Sequence, residues 1–167
     1  MATVVLELNP TAAIQPASNP ATFDAIAGTN FVVPCLDFDA GTDESVFFFF
    51  RAQSYGSGNL TITIEWYADT ASTGDVIWAA QLACITPNTD TQDIETKAFG
   101  TANTATDTHL GTTNQRLHSV DITLSNTDSI AAGDYCVLKI YRDADAAGDT
   151  MTGDASLVKV LVSYSDT

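Results

Sequence analysis

The feature that most constrains this chain is the alternation of apolar and polar side chains along short segments. Between Leu60 and Trp66 every second residue is large and apolar, and the residues between them are Thr or Glu. Successive side chains of a strand point to opposite faces, so this pattern predicts a strand with one buried face and one solvated face. The same period recurs in residues 118–125 and 155–164. These segments predict an antiparallel, all-β protein.

Turn-forming clusters such as Thr86-Pro87-Asn88 separate the predicted strands. We predict strands at residues 3–8, 31–38, 45–52, 59–68, 74–85, 91–99, 118–125, 135–142 and 155–164. Residues 100–108 are polar and have no period, so they are predicted to form a long loop. About eight or nine strands with two long connections indicate a two-sheet antiparallel sandwich. The long crossovers favour a jelly roll over an immunoglobulin-like arrangement.

Proline punctuates the segment that follows the first predicted strand. The three residues are Pro10, Pro16 and Pro20. Proline fixes φ and cannot donate to a sheet ladder, so residues 9–22 are predicted to run extended outside any sheet. Residues 1–22 are therefore expected to form an N-terminal strand and arm, and residues 23–167 the sandwich domain.

Four consecutive phenylalanines lie in the third predicted strand. A strand that is apolar on both faces needs a cover on both sides, because exposed phenylalanines on a strand favour aggregation. A partner subunit or the proline-rich arm would supply the second cover. The predicted partner-contacting residues are Phe47, Phe48, Phe49 and Phe50 in the strand, with Phe48 taken as outward-facing, and Pro10, Pro16 and Pro20 in the arm.

The formal charge of −15, from 21 acidic and six basic residues, argues against two classes of partner. Such a field repels nucleic acid and anionic lipid surfaces. The first eight residues lack the basic region of a signal peptide, and no stretch approaches the roughly 18 apolar residues of a membrane span. We expect an unprocessed protein that binds neither nucleic acid nor membrane.

Three cysteines lie far apart in the sequence: Cys35, Cys84 and Cys136. Each lies in an apolar or alternating segment, which is typical of buried thiols in a reducing compartment. We predict three free thiols, and one disulfide with a spare cysteine is the alternative.

No residue pattern predicts a catalytic site. His109 and His118 have no cysteine or acid at zinc-ligand spacing, and both are predicted to be surface or strand residues. Ser57 lacks the glycine frame and the preceding strand of a nucleophile elbow. We expect no catalytic residue and no enzyme activity.

An acidic segment near the carboxyl end resembles a calcium loop in part. Its carboxylates are Asp143, Asp145, Asp149 and Asp154. Against an EF-hand the fifth position is Ala147, and the flanking segments are predicted strands rather than helices. We predict a solvated hairpin turn, no essential metal and no cofactor, with calcium as the alternative.

Aromatic residues leave carbohydrate binding open. The candidates are Trp66, Tyr67, Trp78 and Tyr55. Trp66 and Trp78 fall in the inward phase of their strands, so the core is the favoured location for both.

The two final predicted strands and their turn, Gly133–Ala144 and Gly153–Tyr164, resemble those of small jelly-roll structural proteins of tailed bacteriophages. These are head decoration (cement) proteins and domains of tail or collar fibres, and they commonly form trimers. The resemblance implies a virion protein made in the host cytoplasm that binds its own copies and the major capsid protein on the capsid surface. A receptor- or carbohydrate-binding fibre domain and a calcium-dependent adhesion module are the alternatives.

Overall fold

The computed structural model describes residues 2–166 of the chain. It contains ten strands and one turn of 3-10 helix at Pro10–Ala12. The strands are β1 (Thr3–Leu8), β2 (Thr22–Ala27), β3 (Val32–Phe38), β4 (Ser45–Arg51), β5 (Leu60–Ala68), β6 (Asp75–Ile85), β7 (Asn103–Thr108), β8 (His118–Leu124), β9 (Tyr135–Arg142) and β10 (Ala155–Ser165). Within residues 2–166, no helix is long and apolar enough to cross a membrane.

Two antiparallel sheets pack face to face. The larger sheet has the order β2-β3-β10-β5-β8, and β1 also pairs with β10. The smaller sheet has the order β4-β9-β6-β7. From β3 to β6 the chain alternates between the sheets, and β8, β9 and β10 alternate again. The prediction of an all-β, two-sheet jelly-roll sandwich is confirmed.

The sequence prediction is wrong at β2 and β7, so there are ten strands rather than eight or nine. Both lie at sheet edges. Residues 103–108 form the edge strand β7 against β6 instead of a loop. Residues 91–99, predicted to be a strand, form turns and irregular chain. Edge strands bury little side-chain surface, so backbone pairing can hold them without the apolar period that reveals a central strand.

The proline-rich arm lies on its own sandwich, and its described residues form no strand before β2 begins at Thr22, in agreement with the prediction, apart from isolated bridges to β4. Ile14 exchanges backbone hydrogen bonds of 2.9 Å with Phe47 in both directions. Ser45 donates to Asn19 O, and Ala21 donates to Ser45 O. The arm therefore covers part of the β4 edge of the smaller sheet. Pro10 is buried, whereas Pro16 is half-buried and Pro20 is exposed.

The four phenylalanines of β4 divide between the two faces of the smaller sheet. Phe48 is 0% exposed and Phe50 is buried beside it in the core. Phe47 and Phe49 lie on the outer face. The prediction that Phe48 faces outward is wrong, because the two-residue period places it with the inward set. Phe48 and Phe50 are core residues, and the predicted partner contact stays a prediction for Phe47 and Phe49.

The prediction of three free thiols is also wrong. Cys84 on β6 and Cys136 on β9 lie directly opposite each other, with their Cα atoms 4.3 Å apart, and form a disulfide. The two residues are 52 positions apart in the sequence, and only the register of the two strands brings them together. Cys35 is free and buried.

Candidate functional site

A groove of about 570 Å³ lies on the outer side of the larger sheet. One wall is the turn between β2 and β3, and the other is the connection between β7 and β8. The floor is formed by residues of β3, β5 and β10. Its volume falls in the range typical of small-molecule sites.

The first wall carries Phe31, whose side chain is 72% exposed, the highest value among the large apolar residues that the structure describes. The turn is closed by a hydrogen bond of 3.0 Å from Gly28 N to Phe31 O. A Cβ atom at Gly28 would lie 2.7 Å from that oxygen, so the turn requires glycine. The turn thus holds an aromatic face toward solvent at the rim of the groove.

The floor combines apolar side chains with one tyrosine. Val33, Val158 and Tyr67 line it. The register of β10 against β5 shifts between Leu157 and Lys159, so Val158 lies at a bulge. Bulges re-aim side chains, and this one adds Val158 to the floor.

Polar groups converge on the groove from both walls. Asn30 and Thr29 belong to the first wall, and Gln115 to the second. Gln115 donates a hydrogen bond of 2.9 Å from Nε2 to the backbone oxygen of Asp69, which ties the second wall to the end of β5. Asp69 is the one charged residue among those that line the groove in the described chain.

A buried polar cluster supports the tyrosine of the floor. The Tyr67 hydroxyl donates to Cys35 Sγ, and Cys35 Sγ donates to Asp37 Oδ1. Ser156 lies between Asp37 and Tyr67 in the strand register. Burial raises the pKa of Asp37, raises the pKa of the Cys35 thiol to about 12 and raises the pKa of Tyr67 as well. The thiol and the phenol stay protonated at neutral pH, so the cluster positions Tyr67 and offers no nucleophile.

The second wall is anchored on two histidines. His109 and His118 are both buried, with ring centroids 4.4 Å apart, and His118 stacks on Trp66 at 4.7 Å. His118 is a strand residue, as predicted, but neither ring is at the surface. The sequence missed this pair because the two residues meet only when the connection folds back between β7 and β8.

A second surface feature, the aromatic patch, is defined by Phe47, Phe49, Phe99 and Tyr135 on the outer face of the smaller sheet. Phe47 stacks on Phe99 at 5.8 Å, and Phe49 lies 6.0 Å from Tyr135. The patch borders a cleft of about 220 Å³ that the exposed Ile94 also lines. The segment that carries Phe99 supplies part of the outer cover that the sequence predicted for the phenylalanine strand.

The four carboxylates of the predicted acidic turn do not converge. Asp143 and Asp145 join Asp43, a residue the sequence analysis did not select, with one oxygen of each carboxylate within 4.8 Å of the others. Among the described residues, these three carboxylates form the group that is close enough to bind one cation together. Asp149 instead forms a buried ion pair of 2.7 Å with Arg142, and Asp154 is exposed. The alternative in which all four carboxylates bind calcium is therefore wrong, because Asp149 turns inward.

Of the four aromatics proposed for sugar binding, only Tyr67 lines the groove. Trp66 and Trp78 are fully buried, which confirms the core location that their strand phase predicted. Tyr55 is buried and donates to Gly58 O at 2.6 Å. The sequence analysis missed Phe31 because it was taken as the first residue of a strand, whereas β3 begins at Val32.

Neither the known protein families nor the curated proteins include a match to this sequence. Among solved structures, the chain is similar to part of an isomalto-dextranase of Arthrobacter globiformis T6 complexed with panose, with a TM-score of 0.56 and 14% identity over 95% of this chain. The chain spans only 23% of the length of that protein. This likeness concerns the fold alone.

Two further solved structures are similar at lower scores. One is a carbohydrate-binding module specific for non-crystalline cellulose, with a TM-score of 0.49 and 9% identity over 90% of this chain and 84% of that one. The other is the K1 adhesin domain of Lys-gingipain from Porphyromonas gingivalis W83, with a TM-score of 0.47 and 13% identity over 97% and 99%.

Proposed function

We propose that this chain is a carbohydrate-binding domain that holds a neutral glycan in the groove of the larger sheet. The observation that carries the proposal is the composition of that groove. Phe31 presents an exposed aromatic face at the rim, and the buried Tyr67 (7% exposed) forms part of the floor, beside a carboxylate and amide groups. Sugar rings present C–H faces that pack on aromatic rings and hydroxyls that bond to carboxylates and amides. This combination fits sugar better than a wholly apolar ligand.

Charge supports a neutral glycan rather than an anionic one. Asp69 is the charged group among the described groove residues, and the chain carries a formal charge of −15. A uronate or sulfate group would be repelled at long range and would meet no cationic side chain among these residues.

The disulfide is consistent with an oxidising location in which the domain would encounter glycans. Disulfides persist in oxidising environments, which include the outside of cells and virion surfaces. The similar isomalto-dextranase, of which this chain spans 23%, is complexed with panose. The role proposed for this chain is binding, without a chemical step of its own.

The test is binding to soluble polysaccharides by affinity electrophoresis and calorimetry. Dextran and a mixed-linkage β-glucan are the neutral probes, and polygalacturonate is the anionic probe. We expect binding to at least one neutral probe and none to polygalacturonate. Phe31→Ala should weaken binding at least tenfold, which corresponds to about 1.4 kcal/mol.

Phe23→Ala is the matched control for that variant. Phe23 lies on the same hairpin and is 47% exposed, but it does not line the groove. Its replacement should leave binding unchanged. Failure to bind any neutral polysaccharide, or equal binding by the Phe31→Ala variant, would contradict the proposal.

A second candidate is the capsid decoration role that the sequence resemblance implies. The aromatic patch favours it, because Phe49 is 42% exposed on the outer face of the smaller sheet. In this role the patch contacts another copy of the chain or the major capsid protein. Phe49→Asp should then reduce trimer formation or capsid binding, measured by light scattering and particle sedimentation, and Phe31→Ala should not. The two candidates use opposite sheets, so these two variants separate them.

A further inference from the structure

The connection between β7 and β8 forms the second wall of the groove and carries Gln115 and Leu117 into it. Several of its anchoring hydrogen bonds run through the two buried imidazoles. Leu110 N donates to His118 Nε2 at 3.0 Å, and Gly111 N donates to His109 Nδ1 at 3.0 Å. These rings hold the backbone at the start of the wall.

The geometry settles which ring nitrogens carry protons. A backbone N–H can only donate, so His118 Nε2 and His109 Nδ1 are both unprotonated acceptors. His118 therefore carries its proton on Nδ1, which is buried and has no hydrogen-bond partner among the described residues. His109 carries its proton on Nε2 and donates it to Asn114 O at 2.9 Å. The His118 ring is therefore neutral while Leu110 donates to it.

The wall is strained where it leaves these anchors. Gly111 has a φ of 71° and Thr112 a φ of 80°, in the left-handed region. A β-branched residue rarely adopts that region, so the conformation persists only while neighbouring contacts hold it. Loss of the imidazole acceptors would remove those contacts.

We propose that His118 is an acid-sensitive latch, which holds this wall against the groove at neutral pH and releases it, together with a bound glycan, on acidification. The inference rests on the proposed function of the groove. A second proton on His118 places its Nε2–H against the N–H of Leu110. The 4.4 Å between ring centroids makes the doubly charged pair unfavourable.

The charged groups around the pair act in both directions. Burial and the neighbouring His109 lower the pKa of His118, and the guanidinium of Arg116 acts in the same sense. The carboxylate of Asp107 and the backbone of Arg116 favour the charged ring, and the face of Trp66 also favours a cation. Burial is the largest of these effects, so the pKa of His118 lies below that of an ordinary histidine and the ring is neutral at neutral pH.

The test follows ring nitrogens and wall amides by NMR in the unliganded protein, and glycan affinity in parallel, from about pH 8 to about pH 5. We expect the stated tautomers at high pH. On acidification, the amide of Leu110 should lose protection with the same midpoint as the His118 ring. Affinity for the neutral polysaccharide should fall at least tenfold over the same interval.

His118→Gln is the decisive variant, because its side-chain oxygen can accept from Leu110 N but does not titrate. It should bind glycan with nearly constant affinity over this interval. A wild-type Leu110 amide that keeps its protection when the His118 ring titrates would overturn the latch, as would an unchanged pH profile in the variant. Absence of glycan binding at every pH would contradict the proposed function alone, since the amide titration measures the latch without ligand.

Discussion

Replacement of Arg142 should destabilise this fold more than any change on its surface. The guanidinium is fully buried and all five of its donors are used. Nε and one Nη2 proton form a bidentate pair with Asp149 at 2.9 and 2.7 Å. The remaining three donate to the backbone oxygens of Phe38, Gly153 and Met151. One side chain thus joins β9, the end of β3 and the segment before β10.

The magnitude follows from what Arg142→Met leaves behind. The Asp149 side chain is 1% exposed, so its carboxylate would stay buried without a counter-charge. Removal of one partner of a buried ion pair costs about 3–5 kcal/mol. For a chain of this length, that corresponds to a fall in Tm of roughly 6–20 °C. Three carbonyls would also lose their donors.

Thermal and urea unfolding, followed by circular dichroism, would measure this loss. Arg142→Met/Asp149→Asn is the informative partner variant, because asparagine removes the charge but can still accept the hydrogen bond of 3.0 Å from Ile77 N. It should be more stable than Arg142→Met alone. Arg51→Met, at an exposed arginine, should change stability by only about 0.5 kcal/mol. A loss below about 1 kcal/mol in Arg142→Met, or a double variant no more stable than the single one, would refute the reasoning.

Three further predictions concern the core, the disulfide and the acidic cluster. Phe48→Asp should prevent stable folding while Phe49→Asp leaves the circular dichroism spectrum unchanged, and equal effects would contradict their opposite facing. Reduction of the Cys84–Cys136 disulfide, which closes a loop with a sequence separation of 52, should cost about 4 kcal/mol in denaturant unfolding. Alkylation of the unreduced, denatured chain should modify one thiol, and modification of three would show that the disulfide is absent. Burial and neighbouring carboxylates raise the pKa of Asp143, so its contribution to stability is lost as pH rises through the folded-state pKa. Asp143→Asn should therefore raise the unfolding free energy in EDTA at neutral pH, with a gain that shrinks toward pH 4, and a calcium-dependent stabilisation lost in this variant would show a bound cation instead.

Strand positions could be predicted well where one face is buried. The boundaries of β4, β5 and β9 agree with the sequence pattern to within a residue, because alternation is a local property of side chains that face a core. The same reasoning failed at β2 and β7. Backbone hydrogen bonds at the sheet edges hold these two strands, and their side chains do not show the apolar period that marks a central strand.

Little of the candidate site could be predicted from the sequence. Tyr67 was selected as an aromatic that could contact sugar, yet most of its neighbours in the groove come from three other parts of the chain. Asp149 was grouped with nearby acids by spacing, but it turns inward to Arg142 because burial of a guanidinium requires a counter-charge. Proximity along the chain did not predict proximity in space.

By itself, the sequence determined an acidic all-β sandwich with a core of alternating apolar residues, since composition and a two-residue period act locally. Only the tertiary structure decided the Cys84–Cys136 pairing, the course of the arm along β4 and the meeting of His109 with His118. Each of these depends on which strands become neighbours and in what register. Register is set by contacts between segments far apart in the chain, and no local pattern encodes it.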